Sequence, residues 1–508
     1  MMKNQPLTIL LSLIVLLALT ACGQPTPIPV LVTPTQDASV VAAQPTTPPS
    51  PIPATVTPVP TAVPTNTPTG PTATFMGPLV GGEYVLPPTA TPRPTLTPLP
   101  SATPPPEATS VLLPTDVPPT NAPSVSSAAL PNLDPNRMGI QLDPTLDQED
   151  WNAAIESIQR LGVKWLKVQV SWKMMQPNSA SEVSEDFRRL EIYLETAYNS
   201  GFSILVSVAK APPWARSNQT EDGPPDDPQA LANFLNVLME AMGPSINVIE
   251  VWNEPNLQRE WQGQSFTGGR YMDYFAPAYQ AITAFSQAMI ADPKNNRSTP
   301  IMAITAGLAP TGEVPGARDD RVFLQEMYAA GLANYTDIGV GFHPYSWGNS
   351  PNDSCCYMDE TRGWDDNPHF FFKDNLDAYR QIMVDNGQSG VQLWATEFGW
   401  ATWDGFPGSP PEEWMTYNDR WQQAEYTIRA FQIGQSLDYM GPMFLWNLNF
   451  ALLSGLIENR DERAAYSIIL PGSNCVVDVN STNRTERPLY WMLYDAIRPD
   501  VQLDKYDC

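Results

Sequence analysis

The 508-residue chain carries 54 acidic against 28 basic residues, a net charge of −26, and 55 prolines. So acidic a chain is a poor partner for nucleic acid or other polyanions, which leaves neutral substrates, or solubility alone, as the meaning of the charge. Its two histidines and five cysteines show no CxxC or His/Cys spacing, which excludes a His-rich metal site and argues against a His-based triad, so neither metal nor cofactor is expected.

The chain opens with "MMKNQPLTILLSLIVLLALTAC", residues 1–22: one lysine, an apolar run too short and too near the start for a membrane span, and small residues before Cys22. This resembles a bacterial lipoprotein signal with "LTAC" as its lipobox. The resemblance implies that Cys22 is lipidated and anchors the chain on the extracellular face of the cell membrane; the alternatives are a secretory signal with a chance cysteine or an uncleaved anchor helix. Residues 23–133 are dominated by Pro and Thr, as in "TPVPTAVPTNTPTGPTATF", and cannot bury a core. An extended tether follows, with an upper reach on the order of 300 Å at roughly 3 Å per residue. The apolar island "FMGPLVGGEYVLP" within it has no assigned role. The first 133 residues hold four acids and two basic residues, so residues 134–508 carry −24 of the net charge. Besides Cys22 there are Cys355, Cys356, Cys475 and Cys508, with three possible pairings. A Cys355–Cys356 bridge is expected to be strained, since neighbouring Cα atoms at ~3.8 Å lie below the usual disulfide range.

From Met138 onward short apolar runs alternate with helical stretches. "GIQLD" precedes "DWNAAIESIQRLG", "WLKVQVSW" precedes "SEDFRRLEIYLETAYNSG", "FSILVSVAKAP" precedes "PQALANFLNVLMEAM", and "VIEVWNEP" precedes "RYMDYFAPAYQAITAFSQAMI". "PIMAITAGLAP" then leads to "RVFLQEMYAAGLANY", "DIGVGFHPYSW" to "FFKDNLDAYRQIMVDNG", "VQLWATEFGW" to "RWQQAEYTIRAFQIGQSL", and "YMGPMFLWNLNF" to "RPLYWMLYDAI". Eight such pairs predict an α/β fold in which residues 134–508 close into a (β/α)8 barrel, with its site at the carboxyl ends of the strands. A doubly wound open sheet is the rival, but "QLDPTLDQED" after the first strand has no Gly-rich phosphate cradle.

Period-two alternation turns Lys167, Gln169 and Ser171 into the barrel, and places Glu250, Trp252 and Glu254 on one face. Lys167 and Glu250 become candidates for an interior ion pair, while Glu254 lies at the strand's end. The seventh strand also ends in a carboxylate, Glu397. Strands four and seven face each other across an eight-strand barrel, and cleaving an acetal needs one carboxylic acid and a second carboxylate on opposite faces of the sugar.

"WNEPN", "FHPYSW" and "TEFGW" after strands four, six and seven resemble the large glycoside hydrolase clan with its acid/base on strand four and nucleophile on strand seven. "EVWNEPN" is most similar to family thirty-nine, which includes β-xylosidases and exopolysaccharide hydrolases, with the cellulase-like family five next. In family thirty-nine the strand-seven Thr-Glu is more often followed by Trp or Tyr, where this chain has Phe398.

The resemblance implies that Glu254 is the general acid/base and Glu397 the nucleophile of a retaining hydrolase. It implies that Asn253 holds the sugar 2-hydroxyl, that His343 and Tyr345 border the site with Tyr345 donating to Glu397, and that Trp446 forms a platform beneath the sugar. Trp172, Trp214, Trp261, Trp347, Trp364, Trp400 and Trp403 crowd the predicted mouth, and Trp261 and Trp347 are taken as subsite candidates. The expected partner is a neutral oligo- or polysaccharide. The alternatives are a family-five-like endoglycanase and a surface lipoprotein that keeps the barrel to bind carbohydrate without turnover.

Overall fold

The structure is a computed structural model that describes residues 132–498, apart from 220, 296 and 357–365. The lipobox with Cys22, nearly all of the Pro/Thr-rich stretch, Trp364 and Cys508 therefore lie outside the described residues.

Eight parallel strands form one sheet: β1 Met138–Leu142, β2 Trp165–Ser171, β3 Ser203–Ala209, β4 Val248–Val251, β5 Met302–Thr305, β6 Gly339–Phe342, β7 Gln392–Ala395 and β8 Met443–Leu445. The order β7-β6-β5-β4-β3-β2-β1-β8 curls into a barrel. β2 and β3 pair along seven positions, β5 and β6 at one, Ile304 with Gly339. β7 meets β8 only through isolated bridges, Leu393 with Met440 and Phe398 with Leu445.

The covering helices are α1 Gln148–Leu161, α3 Glu185–Asn199, α4 Pro228–Met242, α5 Gly268–Ala291, α6 Asp320–Ala329, α7 Phe372–Asp385, α8 Arg420–Ser436 and α10 Pro488–Ile497, with one-turn helices α2 Trp172–Met175 and α9 Glu462–Ala465 in loops. All eight expected strand and helix pairs are present. α6 stops short of the expected Tyr335, because Gly331 takes a left-handed backbone (φ 101°) and starts a separate turn. The other helices follow their local signals. In α1 the Asp147 side chain caps the Asp150 N–H, and Trp151, Ile155, Ile158 and Leu161 turn toward the sheet. Each such fully buried side chain contributes about 1.5–3 kcal/mol of transfer free energy.

The barrel interior has two levels. Its floor is apolar, built from Leu205, Val248, Ile304, Trp394 and Phe444, with Trp165 and Met302 against them. Gly139 belongs to this floor, since a Cβ there would lie 2.2 Å from the Phe444 ring. One inward step nearer the carboxyl ends the residues turn polar: Gln141, Lys167, Ser207 and Glu250, all buried. A separate apolar cluster lies under the loops after β6, β7 and β8 and includes Tyr345, Trp403, Trp446 and Tyr466. The long loop after β8 folds as an antiparallel sheet, β10 Val476–Val477, β9 Ile469–Ser473 and β11 Arg484–Glu486, in that order.

Three expectations need correction or completion. Trp252 does not share the inward face with Glu250: β4 ends at Val251, the backbone at Trp252 is left-handed (φ 80°), and its indole packs in the helix-side core against Trp261. Cys355 and Cys356 are bridged despite their adjacency, with Cα atoms 2.9 Å apart across a cis peptide. Cys475 is also disulfide-bonded.

Candidate active site

Glu254 and Glu397 stand past the ends of β4 and β7, both almost fully buried. They meet on one imidazole. His343 Nδ1 lies 3.1 Å from Glu254 Oε1 and 3.9 Å from Glu397 Oε2. Those two oxygens are therefore at most about 7 Å apart, within the span over which a carboxyl pair can act on one sugar.

Each carboxylate has its own supports. Lys167 Nζ sits 3.0 Å from Glu397 Oε1, from Glu250 Oε2 and from the Thr396 carbonyl oxygen. The expected Lys167–Glu250 pair is thus present, and the same ammonium also holds Glu397. Tyr345 donates its hydroxyl to Glu397 Oε2 at 3.1 Å. Burial pushes the Glu397 carboxyl up, but Lys167, His343 and the hydrogen bonds from Lys167 and Tyr345 outweigh it and hold the group below the usual carboxylate value. Burial pulls His343 down, yet Glu397 and Glu254 together raise it. Burial also drives the Tyr345 hydroxyl well above its ordinary value, so it remains a donor.

Glu254 lies on a stiff and strained turn. Its backbone φ is 39°, and Lys210 and Trp252, also just past strand ends, are left-handed too, as is Trp347 in the loop after β6. Its N–H donates to the Gly307 carbonyl at 3.0 Å, and Arg259 Nη2 lies 3.4 Å from Oε2. Asn256, the last residue of "WNEPN", clamps the neighbouring loop: its amide donates to Ala309 O and Arg318 O and accepts from Ala309 N.

Asn253 is buried beside Glu254, and its Oδ1 has no hydrogen-bond partner among the described residues. Trp446, just past β8, crosses the Tyr345 ring edge-on at 6.2 Å, and its Nε1 likewise lacks a partner among them. Trp347 is partly exposed on the loop after β6 and packs on Phe370 at 4.1 Å. Trp261 is not brought to the mouth: it is 1% exposed, wedged between Trp252 and Tyr274, and donates to Ser265 O. Trp172, Trp214 and Trp400 are likewise bracing residues, stacked or edge-packed on neighbouring aromatics.

Sequence reasoning gave no role to two amides. Gln141 on β1 and Gln169 on β2 are 1% and 7% exposed, and both polar atoms of Gln141 and Nε2 of Gln169 are unpartnered among the described residues. Leaving such an atom unpaired costs about 1–3 kcal/mol, so polar groups on a ligand are their natural complement. The signal for Gln141 was an amide set between Ile140 and Leu142 in an otherwise apolar strand. Glu462, from the loop after β8, is a further carboxyl close to the site: burial pushes it up to about 8, with Arg259 opposing and Glu254 adding to the rise.

The second histidine stands apart from this site. His369 Nδ1 is 2.6 Å from Asp320 Oδ1 and Nε2 is 3.3 Å from Asp319 Oδ2, while Tyr379 donates to Asp320 Oδ2. Both ring nitrogens face carboxylates, the arrangement of an imidazolium bridge.

Fold and site together define a (β/α)8 barrel with a buried carboxyl pair at opposed strand ends. No family model matches the chain, and no curated protein matches it. Among solved structures it is similar to a family 39 glycoside hydrolase from the gut symbiont Bacteroides cellulosilyticus WH2, at 16% identity and a TM-score of 0.49. That match covers 72% of this chain and 65% of the other, so the chain spans just under two thirds of that protein. It is also similar to a GH5_18 from Bifidobacterium longum subsp. infantis (12% identity, TM-score 0.47, 73% and 79% covered). A GH1 β-glucosidase from Exiguobacterium antarcticum B7 matches at 14% identity, with a TM-score of 0.46 and 72% and 98% covered.

Proposed function

We propose that residues 134–508 form a retaining glycoside hydrolase that cleaves O-glycosidic bonds of a neutral oligo- or polysaccharide at the cell surface, tethered through lipid on Cys22 and the Pro/Thr-rich stretch. The observation that carries this reading is the shared imidazole: two buried carboxylates from opposed strands converge on His343 Nδ1. Paired carboxyls ~5–5.5 Å apart support retention, and the upper bound here is compatible with that spacing.

In the first step Glu397, held ionised by Lys167 and Tyr345, attacks the anomeric carbon. The bond to the leaving oxygen breaks with its electron pair, and that oxygen takes the proton of Glu254. In the second step Glu254 removes a proton from water, the water oxygen attacks the same carbon, and Glu397 departs as carboxylate. Asn253 Oδ1, Gln141, Gln169 and Trp446 Nε1 are uncharged donors and acceptors, suited to hydroxyls rather than to a uronate.

The test is a panel of aryl glycosides and polysaccharides assayed with wild type, Glu254→Gln and Glu397→Ala. Glu397→Ala is expected to abolish turnover. Glu254→Gln is expected to slow substrates with poor leaving groups far more than activated aryl glycosides, and equal loss on both would sink its assignment as the proton donor. A well-folded wild type that turns over no neutral glycan would favour the carbohydrate-binding alternative.

A further inference from the structure

We propose that Gly307 is a positioning residue for the carboxyl pair, an inference that rests on Glu254 and Glu397 being the working groups. Gly307 follows β5 by two residues and is used on three sides. Its N–H donates to Glu250 Oε1 at 3.0 Å, and its carbonyl accepts from the Glu254 N–H at 3.0 Å. Its third side is empty of atoms by necessity: a Cβ would lie 2.1 Å from His343 Nε2, 2.2 Å from His343 Cδ2 and 2.6 Å from Thr396 Oγ1. His343 and Thr396 are both 0% exposed, so neither has solvent to retreat into.

These contacts close a circuit around the site. Glu397 Oε1 meets Lys167 at 3.0 Å and Lys167 meets Glu250 Oε2 at 3.0 Å. Glu250 then meets the Gly307 N–H, the Gly307 carbonyl meets the Glu254 N–H, Glu254 meets His343 Nδ1, and that nitrogen lies 3.9 Å from Glu397 Oε2. Gly307 is the one backbone-only link. It fixes Glu254 by main chain and Glu397 through two buried charges, and it makes room for the imidazole between them. Loss of that room would push the ring off both carboxylates, and a misplacement of ~1 Å at a reacting group costs on the order of 100-fold in rate.

The experiment compares wild type with Gly307→Ala, His343→Ala, the double variant, and Gly139→Ala, whose added Cβ overlaps the Phe444 ring on the barrel floor, away from the carboxyl pair. kcat, KM, melting temperature and the 15N titration of the imidazoles are measured for each variant; with two histidines in the chain, a His369 substitution assigns the signals. The groups facing His343 are Glu250, Glu254, Glu397, Lys167 and Tyr345, and no substitution removes any of them. Gly307→Ala is expected to lower kcat about 100-fold with KM within about threefold, and to lower the His343 titration as the ring loses its acids. The double variant is expected to fall much less below His343→Ala, in both kcat and melting temperature, than Gly307→Ala falls below wild type, because without the ring only Thr396 Oγ1, at 2.6 Å, still crowds the added methyl. Gly139→Ala should lose stability while keeping kcat and the His343 titration. Wild-type kcat and an unchanged His343 titration in Gly307→Ala would overturn the proposal, as would strictly multiplicative losses in the double variant. Should wild type turn over no glycoside, the hydrolase reading falls, while the titration and melting arms still decide the role of Gly307.

Discussion

Lys167 shows how one side chain can serve both stability and chemistry. Its ammonium is fully buried between Glu250 and Glu397, and burial, which lowers its affinity for a proton, is outweighed by those two charges. Replacing it by Met leaves two buried carboxylates without their cation, a loss of about 3–5 kcal/mol. It also removes the largest charge that holds Glu397 down, so the carboxyl must rise and the acid limb of the kcat/KM profile must move to higher pH. Urea melts and a pH–rate profile of Lys167→Met check both statements, and an unmoved acid limb would refute the second. At this scale the sequence was partly legible. The acids at two strand ends could be located because period-two alternation holds within a strand, and Lys167 could be aimed inward by the same rule. Its reach across the barrel to Glu397 could not, because a long side chain's destination depends on closure of the sheet. Trp252 and Trp261 misled for a related reason: alternation stops where φ turns positive, and an indole near a strand end packs inward or outward according to the helices around it.

Among the elements, the loops above the barrel are held by charge as much as by apolar contact. The segment leading into α6 and the turn before α7 are joined by the Asp319–His369–Asp320 bridge. Burial pulls His369 down, but its hydrogen bonds to Asp319 and Asp320 raise it to about 9 from an ordinary 6.5. A raised folded value means stability that is fully present below pH 6.5 and lost as the pH climbs through about 9. Asp319 runs the other way: burial pushes it up, but the His369 hydrogen bond leads the groups that hold it at about 2, so its share is present above 3.8 and lost as the pH falls toward that value. Melting curves of wild type and His369→Gln are expected to differ most at neutral and mildly acidic pH, and to converge above about pH 9. A gap that is constant across that range would show that the bridge does not titrate. None of this was legible in "DDNPHF" and "GARDD", which lie some 50 residues apart with no periodicity to link them. The loop after β8 resisted reading likewise, since its sheet is made of very short strands with no long alternation.

For the whole molecule, the eightfold recurrence of strand and helix was plain in the sequence, because each buried parallel strand must be apolar and each covering helix must show one apolar face. The strength of each seam was not, since register is a property of pairs. The two thinnest seams have a joint consequence. β5 pairs with β6 at one position, with His343 N–H donating to Leu308 O just beyond it, and β7 meets β8 at two separated bridges of two backbone hydrogen bonds each, so β6 and β7 form a two-strand panel whose edges are discontinuously paired. That panel carries His343, Tyr345 and Glu397 at its tips, whereas Glu254, Lys167 and Trp446 belong to the remaining strands. Local opening of such a panel needs less than global unfolding. Amide hydrogens of β6 and β7 should therefore exchange faster than those of β2 and β3, and catalytic activity should vanish at denaturant concentrations where most of the helical signal survives. Coincident loss of both would mean that the barrel opens as one cooperative unit. If the panel does open first, stress parts Glu397 and His343 from Glu254 while most of the hydrophobic core stays closed to aggregation.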